Sequence, residues 1–286
     1  MTVELKAGDD RAIVDERAGG RLASLIAGSA ERLVHKEDDP LDDPPWWWGS
    51  FLMAPVPGRL AEGKLPWRGK TYQITPNLGE HRLHGVVFDQ AWTVDEADGA
   101  SVSLSCRLDD RWPLGGVIRQ RLRLAPGSLQ QVVEIEAGRQ SMPAGVGWHP
   151  WFRRPASGDV RVRLNADAVL VNGPGLIPNG EVAPVEGDTD LREGPALGDR
   201  RLDDVYPEVK GPAVITWPDL EMTLSFEPPA TVGVVYTPAR GFCVEPQTQW
   251  PNAPQLAVEG LAGTGLTELD PGEILRVQTV WSWTAA

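Results

Sequence analysis

Short runs of alternating apolar and polar residues recur along almost the whole chain, and turn-forming residues separate them. A two-residue repeat places successive side chains on opposite faces of a β-strand, so it is typical of strands with one buried face. The pattern predicts an all-β protein, with antiparallel sheets packed as a large sandwich or a barrel. The runs span residues 2–6, 11–15, 21–26, 70–75, 91–94, 100–108, 117–124, 129–136, 160–164, 169–172, 213–217, 221–227, 232–237 and 273–283.

Helices and domain boundaries leave little trace in the sequence. No stretch carries an apolar stripe sustained over three or four helical turns, and 31 glycines and 26 prolines would interrupt long helices. Residues 173–200 are dense in Gly, Pro and Asp and lack a clear repeat. Because strands of the same kind resume after them, we interpret them as an excursion within one sandwich. We therefore expect residues 1–286 to form a single domain.

The charge balance excludes two classes of partner. The formal net charge is −13 over 286 residues. Nucleic acids and anionic membrane surfaces are bound by clustered Lys and Arg, so neither is an expected partner. No apolar run approaches the roughly 20 residues that a membrane span requires. Nothing in the sequence indicates the oligomeric state.

Cysteine usage and the first residues indicate a compartment. Cys106 and Cys243 lie far apart and form no metal-type cluster, which fits buried thiols, although one disulfide between them stays open. The first residues turn acidic at Asp9 and Asp10 and contain no apolar core of a signal peptide. We expect a cytoplasmic protein.

Residues 146–152 place His149, one of four histidines, between Trp148 and Trp151. Imidazole gains or loses a proton near neutral pH, so His149 is a candidate general acid or base. It could equally be a core histidine that bonds to the backbone. If the stretch is extended, the two indoles lie on opposite faces, and at most one contacts a ligand.

Four other stretches carry polar residues in apolar surroundings. Each has a structural explanation of its own: an ion pair for Arg59, solvation for His81, a turn cap for Asp203 or Asp204, and a strand-end salt bridge for Glu245. The stretches span residues 53–60, 77–85, 201–206 and 242–248.

Two further patterns have a structural reading beside a functional one. Arg119, Arg121 and Arg123 alternate on one strand face, which is more typical of the solvated face of a sheet than of a basic binding surface. In residues 46–48, three consecutive tryptophans, strand geometry would turn the middle indole away from its neighbours. Some of them would then fill the core while others border a cleft.

Other chemistries are weakly supported. His81 and His84 are three residues apart, but a zinc site would need a third ligand such as His149 or Glu245, and no His-Glu-x-x-His motif is present. The sequence also lacks the Gly-x-Ser-x-Gly motif of serine hydrolases and the glycine-rich loops that bind phosphate.

Taken together, five motifs resemble those of the aldose 1-epimerase (galactose mutarotase-like) family, in the same order along the chain. The C-terminal residues 269–283 also look like that family's closing strand. The resemblance extends from about residue 20 to residue 283. The motifs are Pro-x-Pro-Gly-Arg-Leu (55–60), Leu-His-Gly (83–85), Gly-Trp-His-Pro-Trp-Phe (147–152), Leu-Asp-Asp-x-Tyr (202–206) and Val-Glu-Pro-Gln-Thr (244–248).

The resemblance implies a large antiparallel β-sandwich with an open carbohydrate-binding cleft. It also implies an enzyme that interconverts the α and β anomers of a free aldose without cofactor or metal. By position, Glu245 matches the catalytic base and His149 the catalytic acid, while Arg59, His84 and Asp203 match substrate-binding residues. Asp203 is preferred to Asp204, since the family usually has Asp-His at this point. Departures at Val86 and around His149 and Glu245 bear on the galactose preference more than on the chemistry.

The residue types suit this reaction independently of the family. Opening a cyclic hemiacetal needs a base at the anomeric hydroxyl and an acid at the ring oxygen, and the two exchange roles on reclosure. We expect Glu245 to start as carboxylate and His149 as imidazolium.

Two alternatives remain. A hexose-phosphate 1-epimerase would use Arg59, Arg82 or Arg153–Arg154 for the phosphate. A non-catalytic carbohydrate-binding protein would have the same fold, although it would not need both an acid and a base. The sequence does not declare which aldose is the substrate.

Overall fold

The computed structural model describes residues 2–38 and 46–286, and almost all its regular structure is β-strand. One α-helix is present in these ranges, α1 (Ala253–Val258), together with 3₁₀ turns at Lys36–Asp38, Ala61–Gly63, Pro174–Leu176 and Gly187–Thr189. In chain order the strands are β1 (Thr2–Ala7), β2 (Asp10–Asp15), β3 (Arg21–Ala27), β4 (Ala30–Glu31), β5 (Ser50–Met53), β6 (Arg59–Leu60), β7 (Lys64–Trp67), β8 (Lys70–Gln73), β9 (Arg82–Leu83), β10 (Thr93–Ala97), β11 (Ser101–Arg107), β12 (Val117–Ala125), β13 (Ser128–Glu136), β14 (Met142–Ala144), β15 (Gly147–Pro150), β16 (Arg161–Arg163), β17 (Ala168–Asn172), β18 (Pro178–Pro184), β19 (Asp203–Tyr206), β20 (Ala213–Thr216), β21 (Leu220–Leu224), β22 (Val232–Tyr236), β23 (Cys243–Gln247), β24 (Thr267–Leu269) and β25 (Ile274–Ala285).

Two large antiparallel sheets form the sandwich. The front sheet has the order β1-β2-β3-β5-β15-β23-β22-β19, with β4 paired to β3, and the back sheet has the order β10-β11-β12-β13-β25-β21-β20-β16. Four two-stranded ribbons accompany them: β14-β24, β17-β18, β6-β9 and β7-β8. The prediction of an all-β antiparallel sandwich is confirmed.

The main core lies between the two sheets, and strand alternation builds it. On β12, Ile118, Leu122 and Leu124 are buried in this core. The intervening residues Arg119, Arg121 and Arg123 are exposed, as expected for the solvated face of a sheet. The arginine row is therefore the outer surface of the back sheet.

Each alternating run of the sequence coincides with or overlaps a strand, whereas some central strands carry no such signal. All four residues of β5 and all four of β15 are buried. A strand that is covered on both faces has no solvent-exposed polar side. Its sequence therefore lacks the alternation of apolar and polar residues that predicts a strand.

Residues 173–200 contain β18, which pairs with β17 as a hairpin, and two 3₁₀ turns. Leu170 of this hairpin packs in a cluster with Val205, Val232 and Val234 of the front sheet. The β17–β18 hairpin therefore packs on the face of the front sheet that points away from the core. These contacts support the single-domain reading, which stays a prediction.

Cys106 and Cys243 are both buried and unpaired, so the disulfide left open by the sequence is not formed. Among the described residues, no helix has the length and apolarity to cross a membrane.

The loop that carries His84 gives a test of the fold. Gly85 and Gly79 both have positive φ, at +69° and +57°, so alanine costs about 1–2 kcal/mol at either position. A Cβ at Gly85 would also lie 2.0 Å from the backbone oxygen of Ala54, whereas a Cβ at Gly79 has nothing within 4 Å. We expect Gly85→Ala to lower the free energy of unfolding by at least about 2 kcal/mol more than Gly79→Ala, measured by urea denaturation. Equal losses would contradict the close approach of these two backbone segments.

Candidate active site

The register between β15 and β23 brings together two residues far apart in the sequence. Gly147 pairs with Gln247, and a separate bridge joins Phe152 to Phe242. Both pairings belong to one antiparallel register, which sets His149 directly opposite Glu245. His149 Nε2 lies 3.3 Å from Glu245 Oε1, and both side chains are buried.

The same face continues across the front sheet. Phe51 of β5 pairs with His149 on one side, and Val234 of β22 pairs with Glu245 on the other. Two residues further along β22, on the same face, Tyr236 pairs with Asp203 of β19. Because side chains directly opposite in a sheet share a face, this row forms a continuous floor outside the core.

A cavity lies above this floor, and all five predicted site residues line it. Asp203 is among the lining residues and Asp204 is not. The cavity also has an aromatic wall formed by Trp46, Trp47, Trp151 and Tyr236. The five are Arg59, His84, His149, Asp203 and Glu245.

Several buried polar atoms of the lining residues have no hydrogen-bond partner within the described part of the protein. They offer both donors and acceptors, which a ligand rich in hydroxyl groups would satisfy. These atoms are Nε1 of Trp46, Trp47 and Trp151, Nδ1 of His84 and His149, Oδ1 of Asn172 and Oε1 of Gln247.

Sequence reasoning missed Gln247 and Asn172. Gln247 Nε2 donates a hydrogen bond of 3.0 Å to Glu245 Oε2, so Glu245 faces His149 with one oxygen and Gln247 with the other. The sequence did contain a signal for Gln247, because a residue two positions from Glu245 on the same strand lies on the same face of the sheet. Asn172 reaches the cavity from the end of β17, and nothing in the sequence indicated this.

His84 approaches the pair from a loop rather than from the sheet. Its backbone has φ of +64°, which is uncommon for a non-glycine residue, and its N–H donates to the Gly58 carbonyl. Its ring meets His149 edge-on, with ring centroids 4.9 Å apart. Burial lowers the pKa of His84 well below its ordinary value, and the nearby His149, Arg59 and Arg82 lower it further.

Aromatic rings hold His149 on both sides. Phe51 stacks on it at 4.6 Å between centroids, and Trp151 stacks on it at 5.4 Å. Behind Phe51 lies the guanidinium of Arg21, 4.9 Å from the ring centroid. Burial in this column lowers the pKa of His149 to about 3, and the positive charge of Arg21 contributes.

Burial shifts the pKa of Glu245 in the opposite direction to that of His149. It raises the pKa of this carboxyl well above its ordinary value, and the charge of Asp203 raises it further, while Gln247 and Arg59 oppose the rise. In the free site, burial therefore favours a carboxyl and a neutral imidazole over the carboxylate and imidazolium expected from the sequence. The pair carries the same number of protons in both forms.

Arg59 and Asp203 flank the pair, with Arg59 Nη2 4.0 Å from Asp203 Oδ2. Burial raises the pKa of Asp203, and Arg59 opposes the rise. The side chain of His81 points elsewhere: its Nδ1 accepts a hydrogen bond from the Glu62 N–H, and it does not line the cavity. The zinc alternative built on His81 and His84 is therefore not supported by their placement.

The sequence led to two predictions about tryptophans, and the structure agrees with one of them. Trp148 packs in the main core and Trp151 lines the cavity, as an extended segment requires. The expectation that the middle indole of residues 46–48 turns away was wrong. Trp46 and Trp47 both line the cavity, while Trp48 is buried against Arg21, because these residues form a bend and not a strand.

The sequence matches the model of a family described as aldose 1-epimerase over residues 1–282. A galactose mutarotase of Sus scrofa is 27% identical over 277 residues, which cover 82% of this chain and 78% of that protein. The solved structure of a galactose mutarotase-like protein from Clostridium acetobutylicum has a TM-score of 0.85 at 19% identity, covering 99% of this chain and 94% of that one. That of a GalM/aldose epimerase homologue from C. elegans has a TM-score of 0.84 at 18% identity, covering 100% and 99%.

The aromatic column around His149 gives a titration test. A pKa lowered to about 3 means that the imidazole stays neutral as the pH falls through its ordinary value and gains a proton only near the lowered one. We expect the ring nitrogen chemical shifts of His149 to stay those of neutral imidazole from pH 8 down to about pH 4. The spectrum of His149→Asn assigns the signal. A transition near the ordinary value of about 6.5 would contradict the effect of burial.

Proposed function

This chain belongs to the aldose 1-epimerase family, and from that membership we propose that it interconverts the α and β anomers of a free aldose. The observation that carries the proposal is the contact of 3.3 Å between His149 Nε2 and Glu245 Oε1 at the floor of the cavity. Two adjacent groups that share one proton provide the acid and the base that ring opening needs.

The proposed reaction moves only two protons and one C–O bond. Glu245 takes the proton of the anomeric hydroxyl while His149 gives a proton to the ring oxygen, so the C1–O bond of the ring breaks and C1 becomes an aldehyde. Rotation about the C1–C2 bond presents the other face of the carbonyl. The groups then exchange roles, and the ring closes as the other anomer. No redox change occurs, and Glu245 and His149 supply both proton transfers, so the proposed reaction needs no redox cofactor.

The protonation state favoured by burial fits this sequence of steps. Proton transfer between Glu245 and His149 produces the carboxylate and imidazolium without changing the net charge of the site. Hydroxyl groups of a bound sugar and the Arg59 guanidinium would stabilise the charged form, because hydrogen bonds and opposite charges favour ionised groups. Sugar binding would thus prepare the pair for the first step.

The other lining residues receive supporting roles in this proposal. Arg59, His84 and Asp203 would hold the sugar hydroxyls, as would the free acceptors of Asn172 and Gln247. The aromatic wall would cover the apolar face of the sugar ring. Gln247 would also fix the orientation of the Glu245 carboxyl through its hydrogen bond.

A free sugar is favoured over a sugar phosphate by the placement of the arginines. Among the described candidates, Arg59 lines the cavity, where Asp203 already faces it. A phosphate bound beside Arg59 would therefore also meet the Asp203 carboxyl. The other candidates donate elsewhere: Arg82 to the Gly85 and Thr75 carbonyls, Arg153 to the Leu33 carbonyl and Asp38, and Arg154 to the Gly198 carbonyl.

Removing either member of the pair tests the proposal. We expect Glu245→Gln and His149→Asn each to reduce the enzymatic part of the mutarotation rate by about a hundredfold or more, because each deletes one proton-transfer group. Polarimetry of freshly dissolved α-glucose or α-galactose, with the buffer rate subtracted, measures this.

Matched controls exist for both variants. His81→Asn changes a histidine that does not line the cavity, and Asn retains an acceptor for the Glu62 N–H. Glu268→Gln changes an exposed carboxylate that pairs with Arg68. Both controls should keep the wild-type rate. Unchanged rates in Glu245→Gln and His149→Asn would refute the assignment, and sugar binding without any turnover would instead make this a carbohydrate-binding protein.

The substrate class has its own test. We expect kcat/KM for at least one of galactose, glucose, xylose and arabinose to exceed that for glucose 6-phosphate by about tenfold or more, since a phosphate would be placed beside Asp203. Anomer exchange followed by NMR gives all five values. Turnover of the phosphate alone would establish the hexose-phosphate alternative and would implicate Arg240, which stacks on Trp47 at the cavity wall.

A further inference from the structure

A thiol lies beside the proposed catalytic pair. Cys243 precedes Glu245 by two residues on β23, so both side chains are on the same face of the front sheet. In the register of the sheet it pairs with Tyr236, and the register that opposes His149 to Glu245 opposes Cys243 to Trp151. Cys243 is fully buried and is not part of the cavity lining, so the proposed sugar reaction makes no use of it.

The ligand atoms of His149, Cys243 and Glu245 all lie within 4.8 Å of one another. Bonds of about 2.0–2.3 Å from a tetrahedral zinc ion place neighbouring ligand atoms roughly 3.3–3.8 Å apart. The 3.3 Å between His149 Nε2 and Glu245 Oε1 already has this length. Small side-chain movements would bring the sulfur to the same separation.

The donor set also matches the chemistry of zinc. Imidazole nitrogen, thiolate sulfur and carboxylate oxygen are its three common protein ligands, and three of them leave a fourth position open. Here His149 and Glu245 line the cavity, so an ion held by them has an entry path and room for a water molecule on the cavity side. This set differs from the His81 and His84 pair considered from the sequence.

We infer that Zn²⁺, or another thiophilic divalent cation, binds between His149, Cys243 and Glu245 and inhibits the enzyme. Binding replaces the thiol proton, and any proton on Glu245, with the metal, and these protons pass to the solvent. The nitrogen and oxygen lone pairs that would carry protons in catalysis become metal-ligand bonds. The ion therefore competes with the sugar and blocks the acid and the base together.

Binding is tested on the whole protein with Cd²⁺ alone, because a cadmium–thiolate bond produces an ultraviolet charge-transfer band. We expect the wild type to develop this band at one Cd²⁺ per chain. Cys243→Ser should lose it, and Cys106→Ser, which changes a buried cysteine of the main core, should keep it. No band in the wild type, or a band that survives in folded Cys243→Ser, would overturn the site.

Inhibition is tested separately with Zn²⁺ during mutarotation. This arm rests on the proposed function, whereas the Cd²⁺ band does not, so an inactive protein would leave the metal site testable. We expect inhibition that sugar relieves and that a chelator reverses. Cys243→Ala should keep the basal rate and need at least about a hundredfold more Zn²⁺ for half-inhibition, since losing even a neighbour of a metal ligand costs 10–100-fold in affinity. Equal sensitivity of Cys243→Ala and the wild type would refute inhibition through this thiol.

Discussion

The antiparallel register of β15 on β23 is the constraint on which the candidate site depends. It sets His149 opposite Glu245, and the neighbouring registers add Phe51 on one side and Val234 on the other. A slip of β15 by one residue would turn His149 into the core between the sheets and leave Glu245 without its partner. Buried rows on both faces oppose such a slip, since Trp148 and Val244 pack inside while His149 and Glu245 face the cavity. The packing of the sandwich and the chemistry of the site are thus specified together.

Burial of the pair has an electrostatic consequence. The rings that orient His149 also exclude water, and this makes both imidazolium and carboxylate costly. A pair that shares one proton avoids this cost, because its uncharged form differs from its ion pair only by a proton transfer over a short distance. Without such a partner, a histidine in the same column would be neutral at neutral pH and would have no imidazolium proton to donate. Under the proposed function, Glu245 on the neighbouring strand is what makes the burial of His149 compatible with proton transfer.

The sequence was informative where one face of a strand meets water and where motifs carried a family resemblance. The alternation of β12 showed directly which residues point inward, and the five residues matched to the family line one cavity. The central strand β5 was not foreseen because it is covered on both faces. Asn172 reaches the cavity only through a hairpin whose position depends on long-range packing. Sequence periodicity describes one strand at a time and does not predict which distant strands pair.

The two-residue repeat also explains which neighbours Glu245 has on its own strand. Placing Glu245 on the cavity face puts residues 243 and 247 on that face as well. At 247 the consequence is useful, since an amide can hold the carboxyl by hydrogen bonding. At 243 the side chain lies between Trp151 and Tyr236 in the register, where a small apolar group is needed, and a thiol meets that need. The same thiol completes a zinc-type donor set with His149 and Glu245. Metal sensitivity would then follow from a packing requirement and would not need selection for metal binding.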